Sequence, residues 1–143
     1  MLESKQRGNL TELQCITAFY ELGYKVSLPY GEDSRYDFIA DINGKLIRVQ
    51  VKTCKPSIDQ DIISFSCRST RINSNGYYER QYTSQEIDYF CTYYQNKCYL
   101  IPISECSKGK VLRFLKTKNN QAKGVSYAED YELYPQICKI IQG

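Results

Sequence analysis

Histidine and tryptophan are absent from this chain, methionine occurs once, and no apolar run approaches the length needed to cross a bilayer. Without histidine, neither a Ser-His-Asp nor a Cys-His nucleophile can be assembled, and a His-ligated zinc site is excluded. Any acid or base must be Asp, Glu, Lys, Tyr or Cys. No two of the seven cysteines form a CxxC pair, and their number is odd. Most lie inside apolar or alternating runs. They read as buried free thiols of a reducing compartment rather than a disulfide framework or zinc cluster. The N-terminus is polar and charged, unlike a secretory signal. The expectation is a soluble cytoplasmic protein with no membrane contact. A net charge of +3 permits a polyanionic partner without demanding one. A chain of 143 residues supports one domain, residues 1–143, around one core.

What is present is a hairpin signature. YDFIAD (36–41) and KLIRVQVKT (45–53) flank Asn43-Gly44. Both central positions of a two-residue hairpin turn need positive φ, which Asn-Gly supplies. The turn fixes the register: Ile42 faces Lys45, and Asp37 lies opposite Gln50, with Cβ atoms roughly 5 Å apart. Lys52, two residues beyond Gln50, points to the same face. The other face carries Tyr36, Phe38 and Ala40 against Ile47, Val49 and Val51, and reads as core. A carboxylate, an amide oxygen and an ammonium beside a hydrophobic face suit metal-dependent phosphodiester hydrolysis. The wet side of an ordinary hairpin carries such residues too.

Along the rest of the chain, Asn9 or Thr11 can cap a helix running to about Leu22 and closed by Gly23. Leu10, Leu13, Ile16, Phe19 and Tyr20 form its apolar stripe. KVSLPY (25–30) reads as a short strand, and IISFSC (62–67) as an alternating one. RSTRINSNG (68–76) is a polar loop. Thr83 and Glu86 form a capping-box pattern for one or two helical turns. YFCTYY (89–94) and CYLIPI (98–103) are strands joined by a Gln-Asn-Lys turn. Beyond Ser104 the pattern weakens: VLRFL is a possible strand, KTKNNQAKG (116–124) a mobile basic loop, and the Tyr-rich end a short helix. The sum is an α/β (α+β) domain on a mixed sheet.

These residues resemble the PD-(D/E)XK nuclease superfamily, in particular its intron-encoded homing-endonuclease branch. The resemblance rests on a helix with Glu12, a strand entered at Asp37, and Gln50-Val51-Lys52 ending the next strand. RYD and RVQVK are locally close to that branch, and the matching segments cover about residues 5–103, leaving 104–143 as a C-terminal extension. Tyr36 replaces the family's Pro, and Gln50 its middle acid, a replacement the homing branch tolerates. The resemblance implies a restriction-endonuclease-like core, a mixed central sheet flanked by helices. It also implies cleavage of double-stranded DNA with Mg²⁺ (or Mn²⁺), and a homo-oligomer, dimer or tetramer. The same fold serves Holliday-junction resolvases, and a DNA-binding module that lost catalysis would look alike.

The chemistry fits this set. Hard cations take oxygen donors: Asp37 as central ligand, the Gln50 side-chain oxygen, the Val51 carbonyl, and Glu12 as second carboxylate. Lys52 would orient or deprotonate the attacking water, or stabilise phosphate charge. Glu12 is otherwise a solvated first-turn acid. Lys5, Arg7, Arg35, Arg48, Lys55, Arg68 and Arg71 are the candidate DNA contacts, with Arg80, Asn73, Asn75, Tyr77 and Tyr78 on the same polar loop. Scattered surface charge is the competing reading of each.

Overall fold

The computed structural model describes residues 1–115 and 124–143, without the side chain of Arg71. The basic loop expected at 116–124 lies almost wholly outside them. Helix α1 spans Ser4–Glu21. It begins well before the expected caps, because Gln6 reaches back to the Glu3 N–H at 2.9 Å and closes a capping box about two turns upstream. Strands follow at Lys25–Ser27 (β1), Phe38–Ile42 (β2), Lys45–Val51 (β3), Lys55–Pro56 (β4), Ile62–Ser66 (β5), Arg68–Asn73 (β6), Gly76–Gln81 (β7), Tyr89–Tyr94 (β8), Lys97–Pro102 (β9) and Gly109–Arg113 (β10). Helix α2, Leu133–Gln142, ends the chain.

The central sheet runs β1-β2-β3-β8-β9. Only the β3–β8 pairing is parallel, so the sheet is mixed as expected. Asn43 and Gly44 take φ of 53° and 94°, and the register is the predicted one, with Ile42 opposite Lys45 and Phe38 opposite Val49. Alternation then does the rest. Phe38, Ala40, Ile42, Ile47, Val49 and Val51 are buried in one cluster with Cys15 and Phe19 of α1 and with Leu133, Ile137 and Ile140 of α2. Tyr36 departs from this face and packs in the opposite cluster.

That second cluster joins Phe90, Tyr99 and Ile101 to Ile63, Phe65 and Leu112. These last residues belong to a three-stranded sheet, β10-β5-β4. Helices therefore cover one face of the central sheet, and a small sheet covers the other. The segment beyond Ser104 supplies β10 and α2 to the two cores. Thr83–Glu86 makes only a turn, with Glu86 accepting the Thr83 N–H at 3.0 Å.

Two further expectations are corrected. The buried stripe of α1 is Thr11, Cys15 and Phe19. Leu10, Leu13 and Tyr20 are exposed. Thr11 is tolerated inside because its hydroxyl donates to the Arg7 carbonyl at 2.9 Å and pairs with Thr53 at 3.1 Å. The polar loop 68–76 is instead the first arm of a β6–β7 ribbon that pairs with nothing else among the described residues. No described helix is long and apolar enough to cross a membrane.

Candidate active site

The site forms where β2 and β3 come apart. Beyond the Phe38–Val49 pair, Asp37 donates its N–H to the Val49 carbonyl at 2.8 Å. Its carboxylate then takes the next ladder position, accepting the Val51 N–H at 2.8 Å. Helix α1 crosses this end, tied by the Thr11–Thr53 contact. One residue along, the Glu12 carboxyl meets the Asp37 carboxyl directly. Partial burial, then the neighbouring Asp37 charge, push the Glu12 pKa from 4.5 up to about 7. Burial also raises Asp37, opposed by the Val51 N–H and Lys52. The pair titrates as a unit and holds one proton more tightly than two separate acids.

Gln50 completes the cluster. Its amide suits its neighbours with the nitrogen donating to Asp37 Oδ2 at 3.2 Å and to the Arg35 carbonyl at 2.8 Å, and the oxygen accepting from the Tyr82 hydroxyl at 3.1 Å. In the opposite orientation the oxygen faces Asp37, and the nitrogen faces the Tyr82 hydroxyl and the Val51 carbonyl, the latter at 3.5 Å. Lys52 is held over the Tyr82 ring, 5.2 Å from its centroid, and donates to the Arg68 carbonyl at 2.9 Å. Burial depresses its pKa. Glu12, Asp37, Gln50 and Lys52 are thus brought together, with the Val51 backbone beside them.

The donor set suits a hard divalent cation. Two carboxyl groups in contact, whose mutual repulsion a cation relieves, are joined by the Gln50 amide, which adds an oxygen donor when it turns that oxygen toward Asp37. The buried sulfurs of Cys15, Cys91 and Cys98, within 4.8 Å of one another, are a separate feature of the core. Burial raises the thiols of Cys15 and Cys91 well above the ordinary value, so they stay protonated, and all seven cysteines are free.

The cationic candidates divide. Lys5, Arg7 and Lys55 are exposed. Arg35 is spent inside the protein: it bonds Glu86 at 3.0 Å, Ser69 at 2.8 Å and the Gln81 carbonyl at 3.1 Å, and stacks on Tyr82 at 3.9 Å. Arg48 is likewise held, by Asp88 at 2.9 and 3.1 Å and by the carbonyls of Ser84 and Gln85. Arg68 pairs with Glu79. Arg71 sits in β6, but its side chain is not among the described ones. Tyr82 and Glu86 escaped the sequence reading. Their signal is only the Thr83–Glu86 capping pattern, which does not say that the turn carries a platform beneath Gln50 and Lys52.

A sequence profile of a family described as PD-(D/E)XK endonuclease matches residues 2–134. No curated protein matches the chain. Among solved structures, the bacterial homing endonuclease I-Ssp6803I superposes with a TM-score of 0.73 at 23% identity, over 99% of this chain and 99% of that one. At that identity the likeness is one of fold.

Proposed function

The chain belongs to the PD-(D/E)XK endonuclease family, and we propose that it hydrolyses phosphodiester bonds of double-stranded DNA in a divalent-metal-dependent reaction, after the manner of a homing endonuclease. The observation that carries this reading is the direct meeting of the Glu12 and Asp37 carboxyls beside Gln50 and Lys52. Asp37, Glu12, the Gln50 amide oxygen and the Val51 carbonyl would hold Mg²⁺ or Mn²⁺. When bound, that ion polarises the phosphate and makes a water nucleophilic at neutral pH. Lys52 acts on the same water or on the phosphate. Its depressed pKa raises the share of free amine able to take a proton, and the remaining ammonium offsets charge on the phosphate oxygens. Gln50 takes ligand geometry with its oxygen toward Asp37, so its amide turns over when the site is loaded.

Breaking both strands takes two such sites, which supports a homo-oligomer as the acting form. Of the candidate contacts, Lys5, Arg7 and Lys55 are exposed and have no carboxylate partner among the described residues, which leaves their charge for phosphates. The test is cleavage of plasmid and four-way-junction DNA with Mg²⁺ or Mn²⁺, against chelator and Asp37→Ala. Linearised plasmid that requires both ion and Asp37 is the expected result. Cutting of the junction alone assigns a resolvase. Binding without cutting under either ion assigns a DNA-binding module that lost catalysis.

A further inference from the structure

We propose that the β6–β7 ribbon is the sequence-reading element of this protein and enters the major groove of the DNA it cuts; the proposal rests on the nuclease reading for its substrate class. Among the described residues the ribbon pairs only with itself, through six cross-strand positions from Arg68–Gln81 to Asn73–Gly76. Both its faces are in solvent from Thr70 to Gln81 among the described side chains, with Ile72 at 80% and Tyr77 at 59% exposure. At about 3.3 Å per residue each arm reaches some 20 Å from the body. A B-DNA major groove, about 12 Å wide and 8.5 Å deep, admits a two-stranded ribbon.

Charge decides what the ribbon would do there. Arg68 is neutralised by Glu79 within the ribbon, and Arg80 by Glu86 at 2.7 Å. Among the described side chains, both arginines of the ribbon are thus paired, which limits what they add to phosphate affinity. Its outer end instead offers an amide (Asn75), a hydroxyl (Ser74), an aliphatic side chain (Ile72) and the ring of Tyr77, whose hydroxyl donates to Glu79 at 2.9 Å; these are groups that contact base edges and thymine methyls. The turn is built to hold this end firm: Asn73 accepts the Asn75 N–H at 2.8 Å, and Gly76 takes φ of 129°. The root is fastened to the site. Lys52 donates to the Arg68 carbonyl at 2.9 Å, and Arg35 holds Ser69 and, from the other arm, Gln81. The reading end and the cleaving residues are therefore set at a fixed offset.

The experiment is binding selection from a random duplex library with full-length Asp37→Ala protein, which leaves the DNA whole. It is repeated with Asn75→Ala/Tyr77→Ala and with a ribbon cut back to Thr70 and Glu79 joined by Asn-Gly. The parent should enrich a defined sequence, and 7-deazaguanine, which removes a major-groove acceptor, should weaken that complex where inosine does not. Ribbon variants should lose about fivefold to a hundredfold in affinity for the enriched sequence, yet bind unrelated duplex within about twofold. Three results overturn the proposal: no sequence enriched by the parent, equal affinity of parent and variants, or an equal loss on all duplexes. A change in sedimentation of the DNA-free variants with no change in selected sequence also overturns it, and assigns the ribbon to subunit contact. Failure of wild-type protein to cut the enriched sequence with Mg²⁺ or Mn²⁺ sinks the nuclease reading alone, because the ribbon is read out by binding.

Discussion

Replacing Glu12 by glutamine should make the metal-free protein more stable at pH 8 while removing cleavage. In the folded chain Glu12 keeps its proton up to about pH 7, against an ordinary value of 4.5. Between those values the folded state binds more protons than the unfolded one, so stability falls as pH rises through that window and levels off above it. The whole shift corresponds to an upper bound of about 3 kcal/mol. Glu12 is only partly buried, so solvent screening reduces this to about 1–2 kcal/mol. The amide side chain of the variant carries no charge at any pH and avoids that penalty. Thermal melts in chelator should therefore place Glu12→Gln about 3–8 °C above wild type at pH 8. The gap should shrink toward zero as pH falls to 4.5, where the carboxyl is largely neutral in the folded state and half neutral in the unfolded one. Saturating Mg²⁺ should raise the wild type far more than the variant. Equal melting temperatures at pH 8, or a gap unchanged between pH 5 and 8, would refute a Glu12 carboxyl whose charge is penalised by burial beside Asp37.

Gln50→Glu should lower the Mn²⁺ concentration for half-saturation, measured by titration of free ion, and lower the metal-free melting temperature near neutral pH. The new charge stands 3.2 Å from Asp37 Oδ2, where the amide nitrogen now donates. An unchanged ion affinity would mean Gln50 is not a ligand. Asp37→Ala and Lys52→Ala should each bring plasmid cleavage to background in a gel assay, and cleavage retained by either would place the site elsewhere. Arg48→Ala leaves the two Asp88 carboxylate contacts unmet and should cost about 1–3 kcal/mol in chemical denaturation. Its DNA affinity should keep the wild-type salt dependence, because this guanidinium is already occupied; a shallower slope would show that it reaches phosphate.

The parts legible in the sequence are those fixed by short-range geometry. Asn43-Gly44 set a register, and that register put Asp37, Gln50 and Lys52 on one face. The misread parts were decided by long-range partners. Leu10, Leu13 and Tyr20 looked like the inner stripe of α1 because they are apolar. Yet the helix turns Thr11, Cys15 and Phe19 inward, and this rotation is what delivers Glu12 to Asp37. Arg35 and Arg48 read as free cations, since nothing local reveals that Glu86 and Asp88 claim them from beyond the ribbon. Residues 68–81 looked like loop because a ribbon wet on both faces has no hydrophobic alternation to betray it.

The parallel pairing of β3 with β8 bears on when the proposed site can be complete. Asp37, Gln50 and Lys52 fall within the stretch 37–52 and can meet through a tight turn alone, on the microsecond scale of hairpin closure. Val49 must wait for Tyr89, which lies far along the chain, before β3 gains its second neighbour. Helix α1 rests on β8 and β9 as well as on β1 and β3, so its docking waits on the same event. The proposed site therefore draws on contacts of two ranges, and the glutamate can join the aspartate, glutamine and lysine only once the long loop between β3 and β8 has closed.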